Sequence, residues 1–344
     1  MALLVERILL KIIKYFFLIA AAAAAMAVCY GYWYVQDRVV PFPEGKKELV
    51  LKVHKGDTTR TIVREMQSEG LDVHPDISAF AFKFLDADKN IHVGRYLIPK
   101  GWTLSEIIAH LKSGKVIMSK ITLIEGSDTK KIIDKITSDD NLDQNAEPIT
   151  LDNVMKIVGA PDKTHPEGQF APDTFVFAAG TPANSILKQS YNEQQKRLKK
   201  VWDSRDKSIA VKNPYELLIL ASIIEKETGH PDDRNLVSSV FNNRLKKNML
   251  LQTDPTVIYG IKDFQGKILK SHLNTDHPYN TYIHPGLPPT PIANTGLASL
   301  EAAAHPAKTK YLYFVAMGEG KSYFSQTLGE HNSAVQKFLR SKGK

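Results

Sequence analysis

Cysteine is almost absent from the sequence, which contains one such residue, Cys29, among 344. An intramolecular disulfide is therefore excluded, and cysteine usage gives no information about the redox compartment. Cys29 also lies inside an apolar N-terminal run, so it cannot be the nucleophile of a soluble active site. The sequence further lacks a Gly-rich phosphate loop, a His-Glu-x-x-His pair and a Gly-x-Ser-x-Gly elbow. We therefore expect no metal and no cofactor.

Charge of one sign is not concentrated anywhere in the chain. Lys and Arg number 45 against 37 Asp and Glu, which gives a net charge of +8. A basic balance favours an acidic partner, such as an anionic lipid or an acidic polymer. No long basic run is interleaved with aromatic residues, however, so we expect a solvated surface and no nucleic-acid partner. With 43% apolar and 24% charged residues, the chain has the composition of a globular protein of about two domains.

The single long apolar run lies near the N-terminus, where Tyr15 to Val35 carry no charge. As a helix rising about 1.5 Å per residue, this run spans roughly 31 Å, close to a hydrocarbon core of about 30 Å. Arg7, Lys11 and Lys14 precede the run, so the positive-inside rule places the N-terminus in the cytoplasm and the remainder outside. A cleaved signal peptide is the alternative, because an alanine-rich stretch inside the run could supply a cleavage site.

The remaining sequence predicts an α+β fold class. Strands are expected near 48–54 and 92–98, with helices between and after them that begin at Asp57 or Thr58 and at Thr103. A long basic helix is expected to begin at Thr181-Pro182 and to end near Arg205. The predicted organisation is a cytoplasmic tail at 1–14, a transmembrane helix at 15–35, a linker at 36–47, a small α/β module at 48–115 and a larger mixed α+β domain at 116–344.

A buried helix is predicted within the larger domain. Asn213 to Glu216 form a strong helix start, with a cap, a proline in the first turn and an acid at the third position. Residues 217–224 are almost wholly apolar, and Thr228-Gly229 suits the helix end. Glu225 follows the apolar run, where burial disfavours a charged carboxylate and so suits a general acid. Glu227 lies about 200° further around the helix, so the two carboxylates do not share a face. The alternative is that the helix emerges into solvent at this end, where both glutamates would simply be polar surface residues.

Polar side chains gather in two later segments. Gln252, Thr253 and Asp254 are adjacent and precede a proline, whereas Asn280 and Tyr282 belong to a loop rich in aromatic and amide groups. A sugar site needs hydrogen-bonding groups of this kind beside aromatic rings. A capped turn and a well-packed loop remain the alternative for these segments.

Taken in order, several segments resemble the MltG (YceG-like) endolytic murein transglycosylase family. The central segment is ASIIEKET, from Ala221 to Thr228. The others are SVFNNRL at 239–245, LQTDPTVIYG from 251, YNTY from 279, GLPPTPIAN from 286, AAAHPAKTKYLYFV from 302 and His331-Asn332, with Glu167-Gly168 and PDTF from 172 upstream. The resemblance covers the whole chain. Its departures are small: Phe175 stands where tyrosine is expected, and Thr295 where proline is expected.

The resemblance implies a lyase that cleaves the β-1,4 bond between N-acetylmuramic acid (MurNAc) and N-acetylglucosamine (GlcNAc) without water. The family's catalytic glutamate falls on Glu225, which would protonate the leaving oxygen. It would then act as base while the muramyl 6-hydroxyl attacks C1 and closes a 1,6-anhydro ring. One protein acid is then enough, because the substrate supplies the nucleophile. The candidates for holding the glycan become Gln252, Thr253, Asp254, Asn280 and Tyr282.

The resemblance also makes the 48–115 module LysM-like, with Lys55 to Thr58 as its best match, and LysM modules bind GlcNAc polymers. The implied partners are peptidoglycan glycan strands and peptidoglycan synthases (penicillin-binding proteins), with cleavage of nascent strands ending their elongation. The implied location is the cytoplasmic membrane, crossed once, with the catalytic part outside. Two alternatives stay open. One is an anchored scaffold that binds peptidoglycan without cutting it, and the other is a muramidase that hydrolyses the bond with a second carboxylate, Asp254 or Glu227.

Overall fold

The computed structural model describes residues 2–54, 56–88, 91–145, 147–262, 264–318 and 320–342. Helices and short strands are mixed in this part of the chain, which confirms the α+β fold class. The chain divides into two compact units, Met1–Ser119 with Phe177–Thr181 and Lys120–Val176 with Pro182–Lys344. Glu225 and the five residues predicted to hold the glycan all belong to the second unit.

The first unit begins with a long apolar helix, α1 (Ala2–Gln36). Among the described residues, Arg7–Gln36 is the one helical segment long and apolar enough to cross a membrane. The prediction of a helix over 15–35 is confirmed. The helix also includes most of the predicted tail, because the leucine, glutamate and lysine residues there favour helix.

The described residues between α1 and position 113 form β1 (Glu48–Val53), α2 (Thr59–Ser68), α3 (Pro75–Phe84), β2 (Gly94–Pro99) and α4 (Leu104–Lys112). The two strands are antiparallel, with Glu48 opposite Pro99. Thr58 and Thr103 each form a capping box, which confirms the predicted helix starts. Lys55, part of the LysM-like match, lies outside the described residues.

The predicted linker between α1 and β1 is not a free tether. Val40 is buried, and its N–H donates to the Trp102 carbonyl oxygen at 2.9 Å. The Asp72 N–H donates to the Pro41 carbonyl at 3.3 Å, and the carboxylate of Asp72 pairs with Arg38 at 2.8 Å. The linker residues are therefore packed onto the small module.

Further along the chain, the described residues form β3 (Met118–Thr122), α5 (Thr129–Thr137), β4 (Leu142–Asp143), α6 (Val154–Val158), β5 (Thr174–Ala178), β6 (Thr181–Pro182), α7 (Ala183–Ser204), α8 (Pro214–Glu227), α9 (Pro231–Lys246), α10 (Asp254–Gly260), α11 (Lys270–Asn274), α12 (Leu297–Ala304), β7 (Tyr313–Gly318), β8 (Lys321–Ser325) and α13 (Leu328–Lys342). The strands form two-stranded sheets that pair β3 with β5, β4 with β6 and β7 with β8.

Helix α8 is the centre of the second unit. Every residue from Leu217 to Ile224 is buried, and α7, α9 and α12 pack against this helix. The Asn213 side chain accepts the Glu216 N–H at 2.9 Å, so the predicted buried helix and its cap are confirmed. The end of the helix differs from the prediction. Thr228, in extended backbone, is the C-cap, and Gly229 does not adopt the left-handed conformation of a glycine cap.

The predicted start of the basic helix, with Thr181 as cap and Pro182 in the first turn, is wrong, because the helix begins one residue later. Pro182 has an extended ψ of 134° and precedes the first helical residue, Ala183. The Thr181 hydroxyl does not cap α7, because it donates to the Ala178 carbonyl at 2.6 Å. Local sequence suggested a capped start, but Thr181 bonds back to the turn that precedes it.

Candidate active site

The two glutamates at the end of α8 face different surroundings, as their 200° separation predicts. Glu225 is half-buried, and its Oε2 accepts the Gly296 N–H at 3.1 Å. Glu227 is also half-buried, and it accepts a hydrogen bond from the Thr253 hydroxyl. Because α8 ends here, each carboxyl group reaches a neighbour from a distant part of the chain.

Glu225 has a second carboxyl group beside it, which the sequence did not indicate. A Cβ atom added to Gly296 would lie 2.0 Å from an oxygen of Glu125, so Glu125 and Glu225 both meet the backbone at this glycine. Burial raises the pKa of Glu125, and the charge of Glu225 raises it further. The segment that carries Glu125 is also held near the end of α8, because the Lys226 ammonium donates to the Gly126 carbonyl at 3.2 Å.

Glu227 faces a cavity of about 390 Å³. The cavity lies between the end of α8, the segment before α10, and the C-terminal elements β7 and α13. Its apolar lining includes Phe314 and Leu328. Its polar lining consists of Glu227, Arg244, Gln252, Asp254, Tyr282, Tyr313 and His331. Three of the five predicted sugar-binding residues therefore lie with Glu227, and Glu225 is not part of this lining.

The environment of Glu227 favours a proton on its carboxyl group near neutral pH. Burial raises its pKa from 4.5 to about 7. The Thr253 hydrogen bond opposes this rise, because it stabilises the carboxylate, whereas the nearby charge of Asp254 adds to it. A carboxylic acid that titrates near neutrality is suited to general acid catalysis.

Asp254 is held by a tyrosine from the later polar loop. The Tyr282 hydroxyl donates to Asp254 Oδ1 at 2.6 Å. Burial raises the pKa of the Tyr282 phenol, and this hydrogen bond raises it further. The two predicted residues therefore lie close together, although 28 positions separate them in the sequence.

Gln252 lines the cavity in an unusual backbone conformation, with φ at 52°. This left-handed region is uncommon for residues other than glycine, and such strain often occurs at functional sites. Two hydrogen bonds hold the residue in place, one through the backbone and one through the side chain. The Gln252 N–H donates to the Thr281 carbonyl at 3.1 Å, and Oε1 accepts from Arg244 Nη1 at 3.2 Å.

Thr253 and Asn280 are placed behind the cavity lining. Thr253 is 2% exposed and contacts Glu227 through its hydroxyl, so it affects the acid from within the protein. Asn280 is fully buried. Its amide donates to the Thr275 carbonyl at 2.7 Å and to that of Leu273 at 3.1 Å, and its Oδ1 accepts the Tyr282 N–H at 2.9 Å. These hydrogen bonds indicate that Asn280 stabilises the conformation of the loop that carries Tyr282.

Sequence reasoning missed Arg244, Tyr313 and His331, which line the same cavity. The signal was present, since SVFNNRL, KYLYFV and His331-Asn332 belong to the segments that carried the family resemblance. No local pattern gave these residues a role, because they lie on α9, β7 and α13 and meet only in the folded chain.

A buried carboxyl group, Glu167, was also missed. Its Oε1 accepts from the Thr129 N–H at 3.0 Å and from Asn294 Nδ2 at 3.2 Å, and its Oε2 accepts from the Tyr259 hydroxyl at 3.0 Å. Burial raises the pKa of Glu167 to about 7, against the lowering effect of these bonds. Glu167 does not line the cavity, so its position indicates a structural role. Among the described residues, no group of three or more His, Cys, Asp or Glu side chains could hold a metal ion.

Comparison with known proteins agrees with the resemblance seen in the sequence. The chain belongs to the YceG-like family, whose sequence model matches residues 51–337. An endolytic murein transglycosylase of Bacillus subtilis strain 168 is 33% identical over 332 residues, which cover 91% of each chain. An endolytic murein transglycosylase of Streptococcus pneumoniae D39 is 25% identical over 365 residues. That match covers 95% of this chain but 65% of the longer streptococcal protein.

A solved structure is also similar. The crystal structure of a protein described as yceG-like from Listeria monocytogenes matches with a TM-score of 0.51 and 30% sequence identity. The match covers 84% of this chain and 100% of the Listeria chain.

Proposed function

We propose that this protein is a peptidoglycan lyase, an endolytic lytic transglycosylase that cleaves the MurNAc–GlcNAc β-1,4 bond and leaves 1,6-anhydroMurNAc ends. The observation that carries the proposal is the cavity in which Glu227 titrates near neutrality beside Asp254 and Tyr282. The names of the relatives from Bacillus subtilis and Streptococcus pneumoniae support the same reaction.

Glu227 is the general acid in this proposal. Its carboxyl proton passes to the glycosidic oxygen of the leaving GlcNAc as the bond from C1 to that oxygen breaks. The muramyl 6-hydroxyl attacks C1, and its proton returns to the Glu227 carboxylate. Atoms balance without water, and the same group is ready for another cycle. Gln252 and Tyr282 line the cavity in which the sugar would lie.

Glu225, the acid that the family resemblance implies, is the rival. We favour Glu227 because it lines the cavity with the candidate sugar-binding residues, whereas Glu225 accepts the Gly296 N–H and lies beside Glu125. Glu225→Gln and Glu227→Gln form a matched pair of variants two positions apart.

The test is release of soluble glycan from purified sacculi by the full-length chain in detergent. The Glu227→Gln protein should lose about two to four orders of magnitude in rate, the usual range for a catalytic proton donor. The Glu225→Gln protein should retain most of its activity. If the Glu227 variant releases glycan at the wild-type rate, or a folded Glu225 variant releases none, the assignment is wrong. A wild-type protein that binds sacculi and releases nothing would instead indicate a scaffold.

A muramidase is the second candidate, and one observation favours it. Asp254 lies near enough to Glu227 to raise its pKa, so the cavity contains the two carboxyl groups that glycoside hydrolysis normally uses. Mass spectrometry of the products separates the two reactions. Hydrolysis leaves a reducing end heavier by one water than the anhydro product.

We further propose that α1 anchors the chain in the cytoplasmic membrane with the second unit outside. The uncharged run from Tyr15 to Val35 and the basic residues Arg7, Lys11 and Lys14 before it support this orientation. A tag at the C-terminus should be digested by protease from outside the membrane, and a tag at the N-terminus should be protected.

Nascent glycan strands and the synthases that extend them would then be the nearby substrate and partners, and cleavage would end elongation. Crosslinking from the extracytoplasmic side should capture a synthase.

The 48–115 module is proposed to be LysM-like and to bind GlcNAc polymers. Its order of strand, helix, helix and strand, with β1 antiparallel to β2, supports the proposal. A chain with this module removed should bind chitooligosaccharides less tightly than the full chain.

A further inference from the structure

Arg244 is a buried charge whose donors are only partly used. It is 7% exposed, and its Nε donates to the Leu312 carbonyl at 2.7 Å. Its Nη1 donates to the Leu250 and Leu251 carbonyls at 2.9 and 3.1 Å. In the described part of the chain, Nη2 has no hydrogen-bond partner and Arg244 forms no ion pair. A buried guanidinium held so firmly, with one nitrogen unused at a cavity, is suited to binding an oxygen of a ligand.

His331 places a second donor on the same cavity. Its ring stacks on Tyr313 with centroids 5.4 Å apart and planes at 28°. Its Nδ1 is buried without a hydrogen-bond partner among the described residues. Burial lowers the pKa of His331, and the charge of Arg244 lowers it further.

The buried Nδ1 determines which nitrogen of His331 carries the proton. A proton on Nδ1 would be a buried N–H without an acceptor, which is costly and rare in proteins. The neutral ring therefore keeps its proton on Nε2, the nitrogen left for a ligand. Together with Arg244 Nη2, the cavity then offers two hydrogen-bond donors, one of them charged, and apolar contacts from Phe314 and Leu328.

A muramyl residue carries a group that matches this combination. MurNAc differs from GlcNAc by a lactyl ether at C3, which has a methyl group and an acyl group whose oxygens accept hydrogen bonds. We propose that Arg244 Nη2 and His331 Nε2 bind the lactyl acyl oxygen of the muramyl residue beside Glu227, and that the two side chains select muramyl over N-acetylglucosaminyl residues. This inference rests on the proposed function and adds the residues that determine its specificity.

Binding without turnover tests the inference. Full-length Glu227→Gln protein in detergent is titrated by calorimetry with a GlcNAc–MurNAc tetrasaccharide and with chitotetraose, which lacks lactyl groups. The muramyl ligand should bind at least about tenfold more tightly, the effect of roughly one good charged hydrogen bond. Adding His331→Phe, which keeps a ring against Tyr313 but has no donor, should remove most of this preference.

Two controls separate a loss of muramyl recognition from general damage to the folded protein. His331→Gln should keep part of the preference, because its amide places an N–H near the position of Nε2. Chitotetraose should bind the His331→Phe protein as it binds the parent, and both proteins should melt at similar temperatures. If His331→Phe weakens both ligands equally, or neither, the inference is overturned.

The chemical source of the acyl oxygen is tested with a third ligand, the same tetrasaccharide with peptide amides on its lactyl groups. Binding of both muramyl ligands, with the free carboxylate tighter because of the Arg244 charge, supports the inference. Binding of the peptide-bearing ligand alone would mean that the peptide is recognised, and would overturn it. The proposed function is judged separately, because it fails if the wild-type protein releases no glycan from sacculi or releases reducing ends in place of anhydro ends.

Discussion

Removing the hydroxyl of Thr253 should move the alkaline limb of the pH–rate profile to higher pH. Thr253 is buried, and its hydroxyl donates to the carboxyl group of Glu227. This bond stabilises the carboxylate, so it lowers the pKa that burial has raised to about 7. Thr253→Val keeps the shape of the side chain and removes the donor. The proton of Glu227 should then be held to higher pH, and the rate should fall at higher pH.

The size of the effect follows from the strength of one hydrogen bond to a charged group. Such a bond contributes about 1.5 kcal/mol or more, and about 1.4 kcal/mol corresponds to one pKa unit. The limb of the Thr253→Val protein should therefore move up by about one pH unit. Asp254→Asn should move it the other way, because this change removes the negative charge that raises the pKa of Glu227 while keeping an oxygen for Tyr282.

The assay is the initial rate of glycan release from sacculi between about pH 5 and pH 9, a range that brackets the raised pKa of Glu227, about 7. Opposite displacements by the two variants would be hard to attribute to general damage, which lowers the rate at every pH. The reasoning is refuted if both limbs move in the same direction or if neither moves. Loss of glycan release in a folded Glu225→Gln protein, with no displaced limb in the Thr253 and Asp254 variants, would return the acid to Glu225.

Three further changes test the structure around the site. Glu167 has a folded pKa of about 7 against an ordinary value of 4.5, so the folded chain holds its proton more tightly and stability is lost as pH rises through this range. Between pH 5 and pH 8, the free energy of unfolding measured in urea should fall by about 3 kcal/mol more in the wild-type protein than in the Glu167→Gln protein. Equal pH dependence in the two proteins would contradict this. Gly296→Ala places a Cβ 2.0 Å from a Glu125 oxygen and should cost about 1 kcal/mol, which adding Glu125→Ala should largely restore in a double-mutant cycle. Asn280→Ala should lower stability by about 2 kcal/mol, because it removes two hydrogen bonds made by a fully buried amide, and an unchanged melting temperature would count against that role.

Much of the local structure could be predicted because its causes lie within a few residues. Thr58 and Thr103 bond to backbone three positions ahead, so their sequences are enough to place the starts of α2 and α4. The burial of α8 has an equally local cause, since a helix that is apolar on nearly every side is stable only inside a core. The prediction failed at Thr181, whose hydroxyl bonds to Ala178 behind it instead of to the helix ahead.

The site was predicted less well, because its members come from separate elements. Gln252, Asp254 and Tyr282 were chosen for their hydrogen-bonding groups, and the fold does bring them to one cavity. Asn280 was chosen for the same reason, but its amide is consumed by carbonyls of its own loop. Arg244 and His331 gave no local signal, since an arginine and a histidine on helices are most often surface residues.

The sequence by itself determined that Glu225 and Glu227 end a buried helix and point in different directions, because helix geometry fixes the angle between them. It could not determine which one meets a cavity. That depends on Thr253 and Asp254, which follow α8 by more than twenty residues and act on Glu227 only after the chain has folded. Desolvation and the charge of a neighbour are properties of three-dimensional surroundings, so only the tertiary structure could show that the pKa of Glu227 is raised.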